Sequence, residues 1–133
     1  MSTRASPYLP AILFVDPDDP SAQALADTLT ARYAVGVAGS LAAAYQALAV
    51  IVPTLIVCEL ALPDGDGLTL LQRLRANPET HDVLLMVVSA RRSPSDKIAA
   101  LRAGADDYLV KPVTPEVFAN HAARLLRFRR TLH

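Results

Sequence analysis

Apolar residues gather in five short runs, and between the runs they recur at three- and four-residue intervals. The runs are Ala11–Val15, Tyr33–Ala38, Leu55–Cys58, Val83–Val88 and Tyr108–Val110. Short apolar runs bounded by Gly, Pro and Asp read as buried strands, and the intervening spacing reads as helices laid against them. Asp19-Pro20 predicts a helix N-cap with proline at the first helical position; Ala22, Leu25, Ala26 and Leu29 then share one face, and the helix should stop near Arg32-Tyr33. Ser40 caps a second helix from Leu41 towards Val50, with Tyr45 and Leu48 as its bulk and Pro53 as its barrier. The third carries Leu68, Leu71 and Leu74 through Arg75 and ends at Asn77-Pro78; the fourth starts at a Ser95 cap and runs to Ala103, before Gly104. Thr114 and Pro115 open the last helix, whose stripe is Val117, Phe118, Ala122, Leu125 and Leu126.

Strict alternation of strand and helix predicts an α/β fold, a doubly wound parallel sheet with helices on both faces and right-handed crossovers. The fourth run has no polar interruption, as a strand covered on both sides requires. The expected organisation is an N-terminal extension (1–10), one domain (11–130) and a C-terminal tail or linker start (131–133).

Composition narrows the partners. Thirteen basic and thirteen acidic residues balance, and 52% of the 133 residues are hydrophobic, so charge gives no case for nucleic acid or an anionic membrane as the main partner. The single cysteine, Cys58, lies inside an apolar strand and reads as a small buried hydrophobe. The longest near-apolar stretch, Ala47–Cys58, is broken by Pro53 and Thr54 and falls short of the roughly 18 residues of a membrane span. Met1–Pro10 lacks a hydrophobic signal core, so a cytoplasmic location is expected.

The candidate chemistry lies where the runs end. Asp16 follows the first strand, Glu59 the third, Ser89 the fourth and Lys111 the fifth. In a parallel sheet these ends share one edge, the edge where open α/β sheets bind ligands. Two carboxylates, a hydroxyl and an ammonium there suit a phosphate-and-divalent-cation site. Pro63, Gly65 and Gly67 supply turn chemistry just after Glu59. His81, His121 and the terminal His133 fall outside this group and are expected on solvated surface; Arg124, Arg127, Arg129 and Arg130 are expected as a solvated helix end.

These residues carry a resemblance. ILFVD (12–16), LALPDGDG (60–67), VVSA (87–90) and AGADDYLVKP (103–112) together resemble a response-regulator receiver domain of bacterial two-component signalling. The resemblance implies a flavodoxin-like (βα)5 fold with strand order 2-1-3-4-5. It implies that the Glu59 position, normally aspartate, accepts a phosphoryl group from a histidine kinase, that Ser89 and Lys111 hold phosphoryl oxygens, and that the aromatic at Tyr108 changes rotamer with activation. Any divalent cation would be held by Asp16, Glu59 and the backbone of Ala61.

Two departures touch that chemistry. Glu59 adds a methylene and displaces the carboxylate by roughly 1.5 Å, about one C–C bond, and in-line transfer depends on close placement of the reacting atoms. Pro17 stands where a second acid is usual and offers no side-chain oxygen, so Mg²⁺ binding should be weak unless Asp18 substitutes. The expectation is a pseudo-receiver: no cofactor, a Glu59–Lys111 ion pair in place of metal, and no catalysis, with action through protein contacts on the face of the fourth helix, fifth strand and fifth helix. The partner there would be a signalling protein or output domain, with a histidine kinase and a homodimer as further candidates and neither nucleic acid nor membrane contacted directly. The alternatives are a Mg²⁺-dependent phosphoreceiver using Asp16 and Asp18, and a flavin- or nucleotide-binding enzyme. The acidic Asp16-Pro17-Asp18-Asp19 segment opposes the second of these, because it would repel phosphate.

Overall fold

The computed structural model describes residues 11–131, with side chains as far as 127. The N-terminal extension (1–10), residues 132–133 of the tail, and the side chains of Arg129 and Arg130 lie outside the described residues. Five strands, β1 (Ala11–Val15), β2 (Ala34–Ala38), β3 (Leu55–Cys58), β6 (Leu84–Ser89) and β7 (Asp107–Val110), form a parallel sheet ordered β2-β1-β3-β6-β7. Two further strands, β4 (Ala61–Leu62) and β5 (Gly65–Asp66), make a small antiparallel hairpin. With the hairpin set aside, the order is 2-1-3-4-5, the flavodoxin-like doubly wound arrangement.

Side chains alternate across the sheet and divide the core in two. Leu13, Val15, Ile56, Cys58, Leu85 and Val87 point to one face, where they meet α2 (Leu41–Leu48), α3 (Gly67–Ala76) and α4 (Pro94–Arg102). Ile12, Phe14, Leu55, Val57, Met86 and Val88 point to the other, against α1 (Asp19–Ala26) and α5 (Pro115–Thr131). Phe14 and Phe118 anchor that second face, with ring centroids 5.6 Å apart.

Several helix ends differ from the sequence reading. Asp18, not Asp19, caps α1 through a bond from the Ser21 N–H, so Pro20 falls one position deeper in a first turn that still tolerates it. Ser93, not Ser95, caps α4, accepting from the Asp96 N–H, with Pro94 as first helical residue. α1 stops being α-helical at Ala26, six residues before Arg32. Beyond it, three-residue backbone bonds join Thr28 to Leu25, Leu29 to Ala26 and Arg32 to Leu29, while the Thr28 and Thr30 hydroxyls donate back to the carbonyls of Leu25 and Asp27. β-Branched threonines that bond backward favour tight turns over a regular helix. On α5, Phe118, Ala122 and Leu126 are buried as the stripe requires, but Val117 is exposed. Val117 lies in the first turn, where its N–H donates to Thr114 Oγ1 at 3.2 Å.

Backbone hydrogen bonding runs one residue past the strand ends. The N–H groups of Asp16, Glu59 and Lys111 donate to the carbonyls of Ala38, Val15 and Ser89 at 2.9, 2.8 and 2.8 Å. Each of these residues is therefore pinned to the neighbouring strand at the carboxyl edge.

Candidate functional site

The four polar residues that terminate the strands converge. Asp16 and Glu59 are 7% and 6% exposed, and Ser89 is fully buried. Lys111 Nζ lies 2.8 Å from Asp16 Oδ2 and 3.2 Å from Glu59 Oε1, so one ammonium bridges two carboxylates.

Glu59 is surrounded by donors. Its Oε2 accepts from the N–H groups of Leu60 at 2.7 Å and Ala61 at 3.1 Å, and from the Ser89 hydroxyl. Its Oε1 accepts from the Ala90 N–H at 3.4 Å and faces Lys111. Three backbone N–H groups, one hydroxyl and one ammonium thus meet a group with about four lone-pair positions.

The electrostatics follow from these contacts. Burial alone raises the Glu59 carboxyl, but the hydrogen bonds from Ser89, Ala61 and Lys111, with the Lys111 charge, outweigh it and hold the group below the ordinary carboxylate value. Burial lowers Lys111, yet the bonds and charges of Asp16 and Glu59 raise it above the ordinary lysine value. Both groups are ionised near neutrality. Burial pushes the Cys58 thiol up, with the charges of Glu59, Asp16 and Asp66 adding to the effect, and the thiol is not a nucleophile in this setting.

The donor set does not fit a divalent cation in this arrangement. Asp16 Oδ1 accepts from the Asp18 N–H at 2.9 Å and Oδ2 takes Lys111. Both Glu59 oxygens are engaged, Pro17 contributes no side-chain oxygen, and the Asp18 carboxylate is spent as the α1 cap. Ala61 enters the site through its N–H. Among the described residues, no group of three or more His, Cys, Asp or Glu is placed to hold a metal.

Tyr108, on β7, lies against the core cluster shared by α2, α3 and α4, half-buried, with its hydroxyl donating to the Arg91 carbonyl at 2.6 Å. Burial raises its phenol above the ordinary tyrosine value despite the opposing contact with Ser89. The Arg91 N–H donates to Ser89 Oγ at 3.1 Å, and its guanidinium pairs with Asp66 at 2.9 Å. An unbroken chain of hydrogen bonds therefore runs from Glu59 through Ser89 and Arg91 to Tyr108.

Sequence reasoning missed three participants. Asp66 caps α3, accepting from Leu68 N–H at 2.9 Å, and a polar residue just before a helix is the available signal for it. Asp64 accepts from the Leu41 and Ala42 N–H groups at 2.8 and 3.0 Å, bonds that hold its carboxyl below the usual range and fasten the hairpin to the start of α2. Arg91 carries no local signal, because its role depends on two loops far apart in sequence. His121 also departs from its expected place on solvated surface: Nδ1 lies 2.6 Å from Asp107 Oδ2, in a partly buried pair that joins α5 to β7.

Comparisons with known proteins agree with this architecture. A family model described as the response regulator receiver domain matches residues 12–123. RpaA of Synechocystis sp., a DNA-binding dual master transcriptional regulator, is 39% identical over 130 residues, covering 90% of this chain and 50% of that protein. The KDP operon transcriptional regulatory protein KdpE of Escherichia coli is 55% identical over 60 residues, 45% of this chain and 25% of that protein. The chain thus spans half or less of these relatives. A crystal structure assigned to a response regulator of Chloroflexus aurantiacus is 35% identical with a TM-score of 0.82, covering 90% of this chain and 98% of that one. The receiver domain protein of Methanospirillum hungatei, 24% identical, shares the fold with a TM-score of 0.86 over 94% of this chain and 99% of its own.

Proposed function

This chain belongs to the response regulator receiver domain family, and from that premise we propose that it is a receiver module of two-component signalling that works without aspartyl phosphate. The carrying observation is the engaged state of Glu59: its two carboxylate oxygens already hold the Ser89 hydroxyl, three backbone N–H groups and the Lys111 ammonium. A phosphoacceptor must offer a free oxygen in line with the donor, and a carboxylate held by five donors, at the end of a longer side chain, does not.

The same contacts give the module its signalling state. The Glu59 carboxylate occupies the hydroxyl and ammonium that hold phosphoryl oxygens in the family, and through Ser89 and Arg91 it fastens the Tyr108 hydroxyl inward. The module is thereby held in one of the two states between which a phosphorylated receiver moves. A carboxylate carries about half the charge of a phosphoryl group, so the mimicry is partial. Its output passes by protein contact through the α4–β7–α5 face, to a signalling protein or output domain or to a second copy of the chain. The place of action is the cytoplasm; no helix of the described residues is long and apolar enough to cross a membrane.

Incubation with acetyl phosphate and Mg²⁺ tests this reading. The unaltered chain should show no gain of phosphate by intact-mass spectrometry, whereas Glu59→Asp restores labelling if the acceptor alone was lost and stays silent if Pro17 also disables the site. Stoichiometric phosphorylation of Glu59 would overturn the proposal.

A further inference from the structure

α5 continues for 17 residues while α1, its neighbour on the same face of the sheet, ends after eight. A groove lies between the turns that follow α1 and the stretch of α5 from Ala119 to Arg127. Its cavity volume is about 540 Å³ and its walls include Leu29, Arg32, Tyr33, Ala119, Ala123 and Arg127, a size within the range of roughly 300–1,000 Å³ occupied by small-molecule sites.

The chemistry of the lining is one-sided. Leu29 is buried at the base, together with Leu126, and gives an apolar floor. Arg32 is exposed at the rim; Arg127, which has an interaction of its own within the protein, adds a second guanidinium. Among the described residues that line the groove, none is acidic. Guanidinium groups match carboxylates in geometry and charge, and the apolar floor suits a hydrocarbon or aromatic body.

We propose that the α1–α5 groove binds a small amphipathic organic anion, a carboxylate head on an apolar body. The head sits against Arg32, and the body lies over Leu29, Leu126 and the two alanines. The site is separate from the Glu59 cluster, which lies at the carboxyl edge of the sheet. A ligand there bridges the end of α1 to α5, the helix that packs Phe118 on the sheet.

Sodium decanoate serves as the probe and decanol as its uncharged counterpart, titrated into the ¹⁵N-labelled full chain and followed by amide shifts. Saturable shifts centred on Leu29, Tyr33, Ala119 and Ala123 are expected, with decanol at least tenfold weaker. Arg32→Glu should weaken decanoate at least tenfold. Filling the groove by Ala123→Phe, or by Ala119→Leu if the first variant fails to fold, should abolish the shifts, while Glu59→Gln leaves them unchanged. Absence of saturable shifts, equal affinity for decanol, or shifts that persist in a folded groove-filled variant would overturn the proposal.

Discussion

The Tyr108 hydroxyl donates to the carbonyl oxygen of Arg91 at 2.6 Å, and the same residue's N–H is held by Ser89, which in turn donates to Glu59. The aromatic side chain is thereby tied to the buried anion through two residues, Arg91 and Ser89, rather than by direct contact. Ser89→Ala cuts the chain in the middle. It removes a hydrogen bond to a charged group, worth roughly 1.5–3 kcal/mol, and releases Arg91. Tyrosine ring resonances of Tyr108 should then shift and sharpen towards those of an exposed ring. A Tyr108 spectrum identical with and without the Ser89 hydroxyl would remove the case for this linkage.

Stability should depend on pH in two windows set by Glu59 and Lys111. The Glu59 carboxyl is lowered from its ordinary 4.5 in the folded chain, so below 4.5 the unfolded chain takes up the proton first. The Glu59 contribution is complete above that value and is lost as pH falls through the lower folded value. Lys111 is raised from 10.5; its contribution is complete below 10.5 and disappears as pH rises through the higher folded value. Urea midpoints measured against pH should show a plateau between these limits, and Glu59→Gln should flatten the acid limb. An acid limb of unchanged slope in that variant would place the titration elsewhere.

Lys111→Met isolates two buried carboxylates that now share one cation. Loss of one partner of a buried ion pair costs about 3–5 kcal/mol. The low end applies here, because 19% of the Lys111 side chain remains exposed. Asp16→Asn added to Lys111→Met should recover part of the loss by removing one of the unpaired charges. Equilibrium unfolding of the two single variants and the double variant measures this coupling. Strictly additive losses would mean that the bridge contributes nothing.

The legible part of this molecule was the part governed by periodicity. Strand ends are marked by a change from apolar to polar residues, so Asp16, Glu59, Ser89 and Lys111 could be placed on one sheet edge before any coordinates. Helix caps were less legible because Asp18 and Asp19, like Ser93 and Ser95, are chemically equivalent neighbours, and the choice between them rests on backbone dihedrals that only the packed loop settles. The early end of α1 escaped because its apolar spacing continues through Leu29, which stays buried even though the ladder has tightened. Arg91 and His121 owe their positions to partners 25 and 14 residues away. Local patterns contain no information about such pairs.

Gly67 tests how tightly the Glu59 peptide is held. Its N–H donates to the Leu60 carbonyl at 2.8 Å. A Cβ at that position would lie 2.6 Å from the Glu59 carbonyl oxygen, 2.9 Å from Leu60 Cα and 3.1 Å from Cys58 Sγ. The two nearest atoms are backbone, so no flexible side chain can swing aside, and the segment carrying the Leu60 and Ala61 donors must move. Alanine gains up to about 1 kcal/mol over glycine in a helix, less at a first residue such as this. Overpacking costs roughly 1–3 kcal/mol, so Gly67→Ala should be net destabilising and should weaken the bonds from Leu60 and Ala61 to the Glu59 carboxylate. Gly39→Ala is the control, since nothing lies within 4 Å of its Cβ position, and it should fall within about 0.5 kcal/mol of the unaltered chain. Urea unfolding of both variants, with the amide shifts of residues 60 and 61 in Gly67→Ala, gives the readout. Equal stability of the two variants would show that the Glu59 loop yields freely and does not hold the carboxylate in place.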